Sequence, residues 1–134
     1  MTLNSISEKP VGVIGAGNFG TVIANILALN RKVLLYTRDE QTATRIKSEN
    51  QNKGYILHAN VEPMHDLQRL AKECDVLFPI VPSQHFRAMM RQLSPYLQPY
   101  HILIHGTKGF DITLPEGQLI ENVTKLTRQQ VKTM

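Results

Sequence analysis

Apolar residues run nearly unbroken from Val11 to Gly15, "VGVIG", and then the rhythm changes at once. A short unbroken run suits a strand buried on both faces, because alternate side chains meet opposite faces of the sheet. After "AGNFG", residues Phe19, Val22, Ile23, Ile26 and Leu27 recur at i, i+3, i+4, i+7 and i+8, which predicts a helix burying that stripe. Asn30-Arg31-Lys32 closes it, and Val33 to Tyr36 predicts a second buried strand. A polar helix is expected from about Glu40 to Asn50, followed by a loop over Asn50 to Gly54. Val61 to Met64 reads as a short strand weakened by Pro63, which has no N–H to give to a ladder.

Leu67, Leu70 and Ala71 predict one short helix before Asp75, and Val76 to Val81 a strand stopped at Pro82. Phe86, Met89, Met90, Leu93 and Leu97 mark an amphipathic helix, in which the two methionines fit a core stripe. Ile102 to Ile104 is the last strand expected, leading into "HGTKGF". Strands alternating with helices of roughly ten to fifteen residues imply βαβ units on a parallel sheet, with right-handed crossovers. The class is therefore α/β, with a polar lead-in over residues 1–9 and one domain over 10–134.

Composition narrows the function. The 15 Lys and Arg among 134 residues give a net charge of +4, but they are scattered, without a block of five or six. Aromatics are few, so neither a basic arm nor a stacking stripe for nucleic acid is expected. A modest basic excess suits a small phosphorylated ligand. Cys74 stands alone, which excludes an intramolecular disulfide, and there is no Cys/His cluster with metal spacing. His101 and His105 on one strand would lie about 13 Å apart, too far to share an ion; His58, His65 and His85 show no ligand spacing either. No apolar run has the length of a signal-peptide core or the roughly 18 residues of a membrane span. No membrane role is expected, and the expected location is the cytoplasm.

"GAGNFG" is GxGxxG, with Gly15, Gly17 and Gly20 between a strand and a helix. In that setting Gly15 makes the tight turn, Gly17 lets a pyrophosphate approach the backbone, and Gly20 lets the helix pack closely on the sheet. Unpaired amides and the helix dipole favour an anion there. The alternative is a bare turn without a ligand. At the end of the second strand, "LLYTRDE" sets Arg38 where NAD enzymes of this fold place an acid. A guanidinium there pairs with a 2′-phosphate and leans the choice to NADP. Asp39 keeps NAD open, and a solvated Arg38–Asp39 pair is the plainer reading. In "IVPSQHF", Pro82 and Ser83 stand at another strand end, where Ser83 is expected chiefly to cap the next helix. Lys108, between two glycines in "GTKG", is either a ligand for a substrate phosphate or carbonyl, or a solvated surface lysine.

"GAGNFGT", "YTRD", "VPSQ" and "GTKGF", in this order and at these separations, resemble the N-terminal domain of bacterial-type NAD(P)-dependent glycerol-3-phosphate dehydrogenases. The resemblance runs from about Val11 to Phe110. It implies a Rossmann-like, mainly parallel, doubly wound sheet. It implies further that Asn18 and Phe19 line the pyrophosphate, that Arg38 binds the adenosine end, and that Lys108 touches the nicotinamide side and the substrate phosphate. The family interconverts dihydroxyacetone phosphate and sn-glycerol 3-phosphate by hydride transfer. "NKGYILHAN" keeps Tyr55 but lacks the Leu-Pro-Gly element usual after the family's N-x-x-Y.

The family's proton-donating lysine and helical substrate domain lie farther from the TKG turn than this chain extends, so no catalytic residue is expected here. "LTRQQVKTM" reads as the start of a helix, with Thr127 and Gln130 at capping-box spacing. A cofactor-binding piece, silent by itself and truncated before the last strands, is thus the expectation, with an exposed sheet edge inviting self-association. Two other readings stay open. A reductase of the hydroxyacid or ketopantoate type shares GxGxxG but not VPS followed by GTKG. A non-catalytic nucleotide-sensing module would need the pocket and be indifferent to Lys108.

Overall fold

The computed structural model describes residues 9–105. Along the chain these form β1 (Val11–Ile14), α1 (Asn18–Leu27), β2 (Val33–Tyr36), α2 (Glu40–Glu49), β3 (Gln51–Asn52), β4 (Tyr55–Ile56), β5 (Val61–Met64), α3 (Leu67–Glu73), β6 (Val76–Pro79), α4 (Ser83–Leu93) and β7 (Ile102–Leu103), with a 3-10 turn, Ser94–Tyr96, after α4. Five strands pair in parallel in the order β5-β2-β1-β6-β7. The register sets Val11 beside Val33, Ile14 beside Tyr36, and Gly12 beside Leu77.

The period of two in β1 and β2 distributes the core between two layers. Val11, Val13, Val33 and Leu35 meet Ala24 of α1, its C-cap Ala28 and Ile46 of α2 on one face. Ile14, Leu34 and Tyr36 meet Leu67, Leu70 and Ala71 of α3 and Met89 and Leu93 of α4 on the other. Both faces are covered, so β1 and β2 are buried at every position, as their unbroken apolar runs require. Pro63 is tolerated because β5 is the outermost strand on its side; a missing N–H there costs no ladder bond to a further strand.

Five local expectations change. The α1 stripe is misplaced by a fraction of a turn: Phe19 and Ile26 are exposed, and the buried residues are Gly20, Thr21, Ala24 and Ala28, with Ile23 and Leu27 packed at the flank. The helix lies so close to the sheet that only small side chains fit beneath it. The loop expected over Asn50 to Gly54 instead holds strand β3 and the turn of the hairpin β3–β4, antiparallel through Lys53 (φ 54°) and Gly54 (φ 83°), the two positive φ values of a type I′ turn. The strand expected to reach Val81 ends at Pro79, although the Ile80 amide still donates to the Ile14 carbonyl at 2.8 Å. Ser83 is the first helical residue of α4, and the cap position falls on Pro82, which has no side-chain acceptor. The last expected strand shortens to two residues, and β7 is the outermost strand on its side of the described sheet. The helix expected over 126–134 lies outside the described residues.

Candidate functional site

In this strand order β2 follows β1 on one side and β6 on the other, so the carboxyl ends of β1 and β6 border the point where the winding reverses. Open parallel sheets bind ligands at such a point. A crevice of about 320 Å³ lies there, lined by Gly17, Asn18, Phe19 and Gly20 from the β1–α1 junction and by Ile80, Val81 and Pro82 beyond β6. None of these seven side chains is titratable, so this wall can hold and orient a ligand but not exchange protons with it.

Close approach, not looseness, explains two of the glycines. Gly15 has φ +120°, and a Cβ there would collide with the Ile80 carbonyl oxygen. A Cβ on Gly20 would collide with the Gly15 carbonyl oxygen. The turn, the first turn of α1 and the end of β6 are therefore stacked backbone on backbone. Gly17 differs: a Cβ there would meet nothing within 4 Å, so the space in front of it is open.

Gly17 is also the N-cap of α1, with no side-chain cap and no acidic residue in the first turn. α4 also begins without a side-chain cap, at Pro82 on the other wall of the crevice, whereas α2 and α3 are capped by their own carboxylates. Asp39 caps α2 by accepting from the Thr42 amide at 2.6 Å, and bonds from the Thr42 hydroxyl and amide hold its carboxyl below the usual carboxylate range. Asp66 caps α3 through the Arg69 amide at 3.1 Å. The α1 amides are thus left for an external acceptor, and the positive end of the helix dipole favours an anionic one. A dinucleotide pyrophosphate fits this cradle.

The structure gathers Gly17, Asn18, Phe19, Gly20 and Pro82 on one crevice, with Gly15 at its base. Arg38 is exposed, two residues beyond Tyr36, whose carbonyl accepts from the Gly15 amide at 3.0 Å. It therefore stands past the neighbouring strand end, not on the crevice wall. Asp39 is engaged as the cap of α2. Lys108 lies outside the described residues.

Sequence reasoning missed Asn52. It is 1% exposed and its amide nitrogen donates to the Ala16 carbonyl at 2.7 Å and to the Thr21 hydroxyl at 2.8 Å. Thr21 in turn donates to the Gly17 carbonyl at 2.7 Å. Only the N-x-x-Y spacing to Tyr55 singled out this stretch, and no periodicity marks a buried asparagine. Other buried polar and thiol groups are structural. His101 accepts from the Gln98 amide through Nδ1, so Nε2 carries the hydrogen given to the Ala71 carbonyl at 2.7 Å. Burial pushes the Cys74 thiol up to about 12, which leaves it protonated and unreactive at neutral pH. Among the described residues no group of three His, Cys, Asp or Glu could hold a metal ion, and no helix is long and apolar enough to cross a membrane.

Known proteins resemble this chain in sequence and in fold. Residues 10–133 match the family model of the NAD-dependent glycerol-3-phosphate dehydrogenase N-terminus. The glycerol-3-phosphate dehydrogenase [NAD(P)+] of Teredinibacter turnerae is 39% identical over 106 residues, covering 75% of this chain and 31% of that protein. The enzyme of the same name from Saccharophagus degradans is 38% identical over 113 residues, covering 81% and 32%. The crystal structure of glycerol-3-phosphate dehydrogenase from Coxiella burnetii superposes with a TM-score of 0.76 at 22% identity, over 92% of this chain and 38% of that one, a likeness of fold. The chain spans about a third of the length of the curated relatives it matches. With the family model covering nearly all of its length, the chain belongs to the family of NAD-dependent glycerol-3-phosphate dehydrogenase N-terminal domains.

Proposed function

We propose that this chain is the dinucleotide-binding part of an oxidoreductase that interconverts dihydroxyacetone phosphate and sn-glycerol 3-phosphate in the cytoplasm, using NADP or NAD. The observation that carries the reading is the uncapped start of α1 facing an open crevice at the sheet's switch point. In this reading the backbone amides at Gly17, Asn18 and Phe19 hold the pyrophosphate, Phe19 and Pro82 wall the crevice, and Gly15 and Gly20 keep the loop close to the sheet. Arg38 takes the adenosine end and favours the 2′-phosphate of NADP. Lys108 meets the nicotinamide side and the substrate phosphate. When bound, the nicotinamide supplies or accepts the hydride; the chain's own residues bind and orient it and shield one side of it from water.

Calorimetric titration of the 134-residue protein with NADPH and with NADH tests the reading. Binding of NADPH tighter than NADH is expected, and Arg38→Ala should weaken NADPH about tenfold while leaving NADH unchanged, the scale of one charge-assisted pair. Absence of binding by either cofactor overturns it. The reading includes self-association through the β7 edge, supported by the exposure of Ile102 and Ile104; sedimentation showing only monomer at high concentration counts against that part.

A further inference from the structure

The hairpin β3–β4 reaches across to the glycine loop through one side chain, and its geometry bears on how the loop meets an anion. The Ala16 carbonyl can only accept, so the Asn52 amide must turn its nitrogen to it, and the same nitrogen reaches the Thr21 hydroxyl. The Arg45 guanidinium, 3.4 Å from Asn52 Oδ1, stands on the opposite side of the amide. All described peptide bonds are trans, and in a planar trans peptide the C=O and the following N–H point in opposite directions. Drawing the Ala16 carbonyl inward onto buried Asn52 therefore turns the Gly17 N–H away from the protein interior. The next peptide is held in the same way: the Gly17 carbonyl accepts from the Thr21 hydroxyl at 2.7 Å and the Thr21 amide at 3.0 Å, which directs the Asn18 N–H outward.

From this relay we infer that Asn52 is a positioning residue of the dinucleotide site: through Ala16 and Thr21 it sets two consecutive backbone amides, those of Gly17 and Asn18, toward the ligand pyrophosphate. It touches no ligand itself. Its two bonds are made to the glycine loop at Ala16 and to the first turn of α1 at Thr21, 36 and 31 residues away in sequence, so the orientation depends on contact between the hairpin and the loop. The cradle is preorganised, which lowers the ordering cost of binding. The inference rests on the dinucleotide reading above and adds to it the group that orients the loop.

The experiment measures the affinity of the 134-residue protein for NADPH and NADH, with melting temperature recorded for each variant. Asn52→Asp removes the donor at nearly constant volume and Asn52→Leu removes all of the amide's hydrogen bonding with the same number of heavy atoms; Thr21→Val removes the relay hydroxyl and serves if either Asn52 variant fails to fold. Leu57→Ala is the control, a buried residue of the same core that bonds no loop atom through its side chain. Asn52 variants are expected to raise the cofactor Kd about tenfold or more, and Thr21→Val to raise it less. Leu57→Ala should lower the melting temperature while leaving Kd within about twofold. The inference is overturned if the Asn52 and Thr21 variants bind like wild type, or if Leu57→Ala weakens binding as much as they do. Wild-type protein that binds neither cofactor would instead overturn the dinucleotide reading itself, and the inference with it.

Discussion

The two faces of the sheet are built from different materials. Under α1 the contact is made by Gly20, Thr21, Ala24 and Ala28, all small, joined by the buried polar pair Thr21–Asn52. Under α3 and α4 it is made mainly by large apolar side chains, Leu67, Leu70, Met89 and Leu93 with Leu77 of β6, and by Ala71. A ligand cradle needs backbone amides at a fixed place, and small residues let the helix that carries them sit against the strand end. The opposite face has no such duty and buries volume. Proximity on one side and apolar area on the other are separate tasks, and substitutions should separate them.

The largest effect is expected at the closest approach. Gly20→Val puts side-chain atoms where the Gly15 carbonyl already stands; the loop must move, stability falls by about 3 kcal/mol, and NADPH binding is lost from the calorimetric range. A variant that melts like wild type and still binds would break the comparison. Leu70→Ala, on the fully buried opposite face, should cost a similar amount, about 3 kcal/mol by denaturant unfolding. Below its melting temperature, however, it should bind cofactor as wild type does. Equal losses of affinity in the two variants would show that the faces do not divide their tasks.

The smallest effect belongs to the sheet's rim, away from both. Glu62 pairs with Arg69 at 2.8 Å and Lys32 at 3.3 Å, and the Arg69 guanidinium chiefly holds its carboxyl below the usual carboxylate range. A lowered folded value means the contribution is present above the unfolded carboxyl's pKa and is lost as pH falls through the folded one. Glu62→Gln should therefore cost about 1 kcal/mol or less at neutral pH and remove part of the acid-induced loss of stability below about pH 4.5. An unchanged pH profile of unfolding would assign that acid sensitivity to other carboxylates. Cofactor affinity should not respond.

Much of the fold was legible because its signals are local. Val11–Ile14 and Val33–Tyr36 are apolar at every position, and a short strand buried on both sides writes itself that way. Glu40–Glu49 is bounded by an Asp39 cap and by Asn50 in the left-handed region, both recognisable residue types. The α1 stripe misled because hydrophobic periodicity ranks residues by apolarity, whereas close packing ranks them by size; Phe19 and Ile26 scored high and are exposed. The β3–β4 hairpin was hidden because Lys53 occupies a positive-φ position where asparagine or glycine is the usual signal. Of the candidate residues, the glycines, Asn18, Phe19 and Pro82 met at one crevice, and Arg38 stood beyond it.

The sequence by itself determined the class of fold, the alternation of strands and helices, and the glycine junction between the first strand and the first helix, since each follows from residue types within a few positions of one another. Only the tertiary structure decided which side of α1 is buried, which carboxylates are spent on capping, and which buried side chain bonds the glycine loop. Those depend on distances between backbones far apart in sequence. Asn52 meets Ala16 and Thr21 only after the chain has wound β2 and α2 between them, and no local pattern records a hydrogen bond that the fold must first make possible.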